Sequence, residues 1–364
     1  MAAQVTNYQC PNCTGPLHFV GGSGQLECDY CGTNYAVATI EQLYADKEQL
    51  AASAKSGGPQ WDLSNAGSEW SAEEAARMRG DSCPSCGAEI ICDATTAATS
   101  CPYCGNPTIV PGQFAGQLKP DCVIPFKLDK SAAMQALAKH YKGKKFLPKS
   151  FAAKNHIEEI KGIYVPFWLF DGEADASMRF QATKVHKHTQ GDYSVTDTDH
   201  YRVVREGRIA FEKVPVDGSS KMPDAHMDAV EPFEYGELKP FSSAYLPGYL
   251  ADKYDVDAAV CGERANERIR ASTQSAFAAT ASGYTTLEPE YSSINLKRGN
   301  VRYALMPIWL LSTKWHGNGY LFAMNGQTGK LIGDLPVDKG KYWAWFAGIA
   351  LSLAGILAVL LFVI

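Results

Sequence analysis

The chain lacks a strong charge of either sign. Its 364 residues carry 34 Lys and Arg against 39 Asp and Glu, a formal net charge of −5. A protein whose task is to grip a phosphate backbone carries a marked basic excess, so nucleic acid is the disfavoured partner. The short motifs of common enzyme classes are also missing: there is no HExxH, no GxSxG and no helix-opening GxGxxG. GQTGKL (Gly326–Leu331) looks like the end of a phosphate-binding loop, but Leu331 stands where Ser or Thr is needed and Met324 where the leading glycine belongs. Asn325-Gly326 reads better as a hairpin turn. The start, MAAQVTNYQC, has neither a basic n-region nor an apolar h-region, so no signal peptide is expected. With no catalytic constellation in view, a non-enzyme is expected.

Cysteine is what the chain does have. Eight of its eleven cysteines form two quartets of one spacing, Cys-x2-Cys, fourteen residues, Cys-x2-Cys: Cys10, Cys13, Cys28 and Cys31, then Cys83, Cys86, Cys101 and Cys104. An odd total with most thiols in CxxC pairs argues against a secreted disulfide framework and for reduced thiolates. Two tight turns, each offering two thiolates to one point, close a tetrahedron, and short strands between them complete a zinc ribbon. Four protein ligands leave no open position, so two structural Zn2+ sites are expected, with iron as the alternative metal. Such a site either recognises a partner or stabilises a segment too small for its own core. Cys92, Cys122 and Cys261 read as small hydrophobes.

The expected fold class is α+β. Residues 1–36 form ribbon one, 37–80 a helical linker, 81–112 ribbon two and 113–340 a two-lobed body of helices and antiparallel sheets. In the body, YVPFWLF (Tyr164–Phe170) and ALMPIWLL (Ala304–Leu311) share Pro-x-Trp-Leu, and each opens a β-meander. They suggest two related lobes with Trp168 and Trp309 as core anchors and the prolines at strand starts or edges. His186 and His188 share a strand face near His200, and read as a solvated pair before a metal site. Lys139, Lys142, Lys144, Lys145 and Lys149 cluster after a helix, a solvated helix end or a surface for anionic lipid headgroups.

Residues 341–364 form the last segment. Tyr342–Ile364 is 23 residues without a charge, about 34 Å as a helix, which matches a bilayer core of roughly 30 Å. Lys339 and Lys341 precede its aromatic start. The expectation is a transmembrane tail anchor in a bacterial inner membrane, with the bulk of the chain in the cytoplasm.

The paired CPxC ribbons, YVPFWLFDGEA, EPFEYGELKPFSSAYLPGYLADKYDVDA, YALMPIWLL and FAMNGQTGKLIGDLP together resemble a bacterial family described as TFIIB-type zinc-ribbon-containing proteins. Some members carry a label linking them to a replication-restart helicase, a role that the missing Walker motif does not suit. The resemblance implies a tail-anchored protein without catalysis, associated with membrane-stress systems that contain flotillin-like (SPFH) and phage-shock-protein-A-like partners. The expected function is a membrane-anchored zinc-ribbon adaptor that recruits cytoplasmic proteins. The alternatives are a tethered nucleic-acid-binding regulator, or an enzyme with an unrecognised site in the body.

Overall fold

The computed structural model describes residues 17–20, 25–28, 32–40, 61–93, 100–106, 109–112, 118–148, 151, 160–297, 299–316 and 318–363. It begins with β1 (Leu17–Val20), β2 (Gln25–Cys28) and β3 (Asn34–Ala36), an antiparallel sheet of three. Then come α1 (Ala72–Ala75), β4 (Met78–Ser82), β5 (Glu89–Asp93), β6 (Val110–Gly112), β7 (Cys122–Val123) and α2 (Lys130–Tyr141). The long strands β8 (Lys161–Gln190) and β9 (Tyr193–Asp217) follow, with α3 (Asp224–Val230), β10 (Lys239–Pro240), β11 (Leu250–Asp252) and α4 (Ala258–Ala279). The chain ends with β12 (Thr286–Lys297), β13 (Val301–Trp315), β14 (Asn318–Asn325), β15 (Leu331–Gly333) and α5 (Lys339–Val363).

All strands from β4 onward join one 12-stranded sheet, whose spine runs β10-β7-β13-β8-β11-β5-β4-β6. The expected two lobes are therefore two halves of one sheet. The two Pro-x-Trp-Leu segments lie side by side at its centre, antiparallel, with Val165 opposite Met306, the residues just before Pro166 and Pro307. A local two-fold axis passes through that pair, and it relates much of the body. Ile163 pairs in parallel with Leu250 of β11, and Ala304 with Cys122 of β7. Ile163 and Ala304 each stand three residues before their proline. Cys122 and Leu250 each stand seven residues before the aspartate that begins a helix, Asp129 for α2 and Asp257 for α4. Each half is thus strand, helix, long strand and return strand, and its first strand pairs with the other half's long strand.

The central strands are apolar throughout because both faces are covered. Their side chains alternate: Val165, Phe167 and Leu169 enter one core, Tyr164, Trp168 and Phe170 the other. α2 and α4 cover one face, while α3 and the second ribbon cover the opposite one. Trp168 Nε1 donates to the Val256 carbonyl at 2.9 Å, and Trp309 Nε1 to that of Leu128 at 3.0 Å. Both acceptors directly precede a helix-starting aspartate.

Pro166 and Pro307 sit in central strands, where edges or starts were expected. A proline breaks a ladder only where its missing N–H is needed. On β8, β11 pairs up to Tyr164 and β9 from Phe167. On β13, β7 pairs up to Leu305 and β14 from Ile308. Each proline occupies the gap between two flanking strands. Its carbonyl accepts from the glycine closing the return strand, Gly218 or Gly326, at 2.8 Å in both cases.

The last segment departs from expectation. Among the described residues no helix is long and apolar enough to cross a membrane. This corrects the transmembrane element of the expected fold and the inner-membrane placement that rested on it. α5 is 25 residues long. Its first turn carries Lys339 and Lys341, and Gly340, Gly348, Ser352 and Gly355 dilute the aliphatic run over the side chains described, which end at Ile356. Every residue from Tyr342 to Ile356 is exposed.

Candidate metal centre

The second quartet is built by two tight turns of one design. In the first, the Gly87 N–H donates to the Cys83 carbonyl at 2.9 Å and the Cys83 N–H to that of Ala88 at 2.9 Å. In the second, Gly105 donates to Cys101 at 3.1 Å and Cys101 to Asn106 at 2.8 Å. Each turn closes with a glycine at positive φ, +68° at Gly87 and +71° at Gly105, a conformation that a side chain would strain. The turns bring Cys83 Sγ within 3.6 Å of Cys104 Sγ, and Cys86 Sγ within 3.6 Å of Cys101 Sγ. All four sulfurs lie within 4.8 Å of one another. Zinc–sulfur bonds of about 2.3 Å set tetrahedral edges of about 3.8 Å, so the four thiols are spaced to hold one metal ion.

The thiols' electrostatics point the same way. Contact with the Cys101 side chain pulls the Cys83 thiol down to about 6. Cys86 is pushed up, chiefly by Cys101, and Cys101 is pushed up, chiefly by Cys104. One thiolate is welcomed by its neighbours' S–H groups and further negative charge is repelled. A divalent cation removes that repulsion and holds all four as thiolates.

Of the first quartet, Cys10, Cys13 and Cys31 lie outside the described residues. Two clusters were expected, and the described residues bring together one. Cys28 is described: it is buried at the end of β2. Its turn repeats that of Cys101, with Gly32 donating to the Cys28 carbonyl at 2.9 Å, Cys28 to that of Thr33 at 3.1 Å, and Gly32 at φ +67°.

The second ribbon is part of the body's sheet, because β5 pairs with β11. Sequence reasoning missed the residues that lock it there. Tyr103, between the ligands of the second turn, is buried, and its hydroxyl is raised well above the ordinary range by that burial and by the charge of Asp252. Asp252, on β11, is pushed up to about 7 by burial, and accepts from Ser219 Oγ at 2.5 Å. Lys161 Nζ donates to the Ser100 carbonyl at 2.7 Å, beside Cys101. The one signal available was the aromatic residue inside CPYC.

The other candidates lie apart from this cluster. Cys92 and Cys122 are buried in the same apolar core as the ligand cysteines and Cys261 in the core on the other face, but none joins the ligand group, and burial pushes Cys122 up to about 11. Asn325-Gly326 leads from β14 into β15 as a turn. Asn325 Nδ2 donates to the Val230 and Pro232 carbonyls, so this loop is a structural tie. Lys139, Lys142, Lys144 and Lys145 are exposed, and Lys145 Nζ sits 4.4 Å over the Trp345 ring; Lys149 lies outside the described residues. The apolar cavity lined by Trp70, Leu118, Phe241 and Tyr303 holds about 10 Å³, no more than one water's room.

The chain is 37% identical over 346 residues to "Uncharacterized protein YdjG" of Bacillus subtilis (strain 168), a match covering 95% of this chain and 94% of that protein. No family model matches the sequence, and no solved structure matches it.

Proposed function

We propose, from the premise that the chain belongs to the family of that Bacillus protein, that it is a non-enzymatic adaptor whose zinc ribbons help present a surface to other proteins. Both quartets hold Zn2+ in this reading, and both metals are structural. The observation that carries it is the closed tetrathiolate at Cys83, Cys86, Cys101 and Cys104, set into a rigid sheet. A metal with four protein ligands has no position left for a substrate. Two further features support recognition over catalysis. The β8–β9 hairpin projects as an arm whose outer strand, β9, pairs only with β8 among the described strands, and free strand edges invite partners. The net charge of −5 favours protein over nucleic acid as the partner. The sequence resemblance nominates flotillin-like and phage-shock-protein-A-like proteins as the first to test.

The test is crosslinking mass spectrometry in the producing cells, comparing the native chain with the double variant Cys83→Ser/Cys86→Ser. A discrete set of crosslinked proteins that the variant loses, with its circular dichroism retained, is the expected result. An unchanged set in a variant shown to be metal-free reduces the second ribbon to a staple. The absence of any protein crosslink from the native chain sinks the adaptor reading altogether.

A further inference from the structure

The arm carries a second set of metal-binding side chains. Along β8, the face that packs on α4 runs Met178, Phe180, Ala182, and these are covered by Phe277 and Ala281. The same face continues past the end of the helix as Lys184, His186 and His188. The ladder sets Asp199 opposite Lys184 and Asp197 opposite His186, so two imidazoles and two carboxylates alternate on one open surface. β12 pairs with β8 only as far as Thr183, and this stretch of arm is exposed.

We propose that His186, His188, Asp197 and Asp199 form a site for a borderline divalent cation of the Zn2+ or Ni2+ class. Imidazoles two apart on a strand stand on one face, and a cross-strand carboxylate completes a compact donor set that suits such ions. His186 Nε2 lies 3.6 Å from Asp199 Oδ2, and His188 Nδ1 3.5 Å from Asp197 Oδ2. Both gaps exceed a good hydrogen bond. The imidazoles are therefore held loosely and keep lone pairs for a metal. Lys184, the one cation on this face of the stretch, is drawn aside over the rings of Tyr201 and Tyr284, at 5.5 and 5.3 Å. The four donor atoms do not meet at one point in this structure. All four side chains are exposed and close on an ion by rotating between staggered wells.

Isothermal calorimetry of the full chain, its cysteine sites first filled with Zn2+, tests this with Zn2+ alone as the probe. One further equivalent is expected at pH 7.5. It weakens by about tenfold or more in His186→Ala and in His188→Ala. Asp197→Asn weakens it too. Histidine-ring NMR supplies a second readout, with the signals of His186 and His188 shifting together over that equivalent. Absence of the equivalent up to about 1 mM Zn2+, or its survival in the double variant His186→Ala/His188→Ala, overturns the proposal. These exposed substitutions leave the melting temperature unchanged, which separates lost binding from lost fold.

Discussion

The two halves of the sheet share a frame and differ in what they add to it. Trp168 meets Tyr254 edge-on at 5.2 Å in one half, and Trp309 meets Phe126 edge-on at 5.2 Å in the other. Phe126 and Tyr254 each stand three residues before their helix-starting aspartate. Asp217-Gly218 closes the first half's return strand where Asn325-Gly326 closes the second's, opposite Phe167 and Ile308. Yet the first half's hairpin has strands of 30 and 25 residues, against 15 and 8 in the second. The repeated parts lie in the core and serve stability. The unrepeated parts, the arm and the ribbon joined to β11, hold the donor groups for metals.

If the two-fold is energetic as well as geometric, matched substitutions should cost alike. The largest effect is expected from Trp168→Ala and Trp309→Ala, each losing about 3 to 5 kcal/mol, measured by urea unfolding followed by circular dichroism. A difference above about 2 kcal/mol between them breaks the equivalence.

The glycines closing the return strands give a smaller, sharper version of the same comparison. A Cβ at Gly218 meets Trp168 Nε1 at 2.9 Å, and one at Gly326 meets Phe126 Cδ1 at 2.6 Å. Gly218→Ala and Gly326→Ala should each cost about 2 to 3 kcal/mol, because both packed aromatics must move. A neutral result at either position shows that its half has slack that the other lacks.

These contrasts indicate what a sequence discloses. The second quartet was legible because ligand spacing is fixed by the metal's own geometry, whichever fold surrounds it. The Pro-x-Trp-Leu repeat was legible as a repeat, but strand pairing is a long-range choice that alternation does not encode. Pro166 and Pro307 therefore suggested edges while they occupy the centre. The arm read as meanders, since Gly172 and Gly191 look like turns; Gly191 is one, while Gly172 lies within β8, packed against Trp61. Tyr103 and Asp252 stayed hidden because the burial of two polar side chains 149 positions apart leaves no local pattern. The apolar C-terminal run suggested a span by length, and the described side chains of α5 do not reach that standard.

The smallest effect concerns a buried carboxyl that one half carries and the other lacks. Asp217 is buried and pushed up to about 6, mainly by burial; Arg264 opposes the shift and Asp224 adds to it. Arg264 Nη1 donates to Asp217 Oδ1 at 2.7 Å. Its counterpart in the other half, Asn325, does not titrate. A carboxyl whose folded value lies above its unfolded value of about 3.9 holds its proton longer in the native state. Between pH 4 and 6 the unfolded chain binds fewer protons at this group, so its contribution to stability falls as pH rises through that window. Asp217→Asn makes the halves alike and should remove that slope. The gap in unfolding free energy between native chain and variant should shift by about 1 to 2 kcal/mol between pH 4 and pH 7. Arg264 keeps Asp224 and Asp228 as partners, so the guanidinium is not left alone in the variant. Parallel stability curves for native and variant chains across that window would show that the Arg264 pair already holds Asp217 ionised, and that burial does not govern this position.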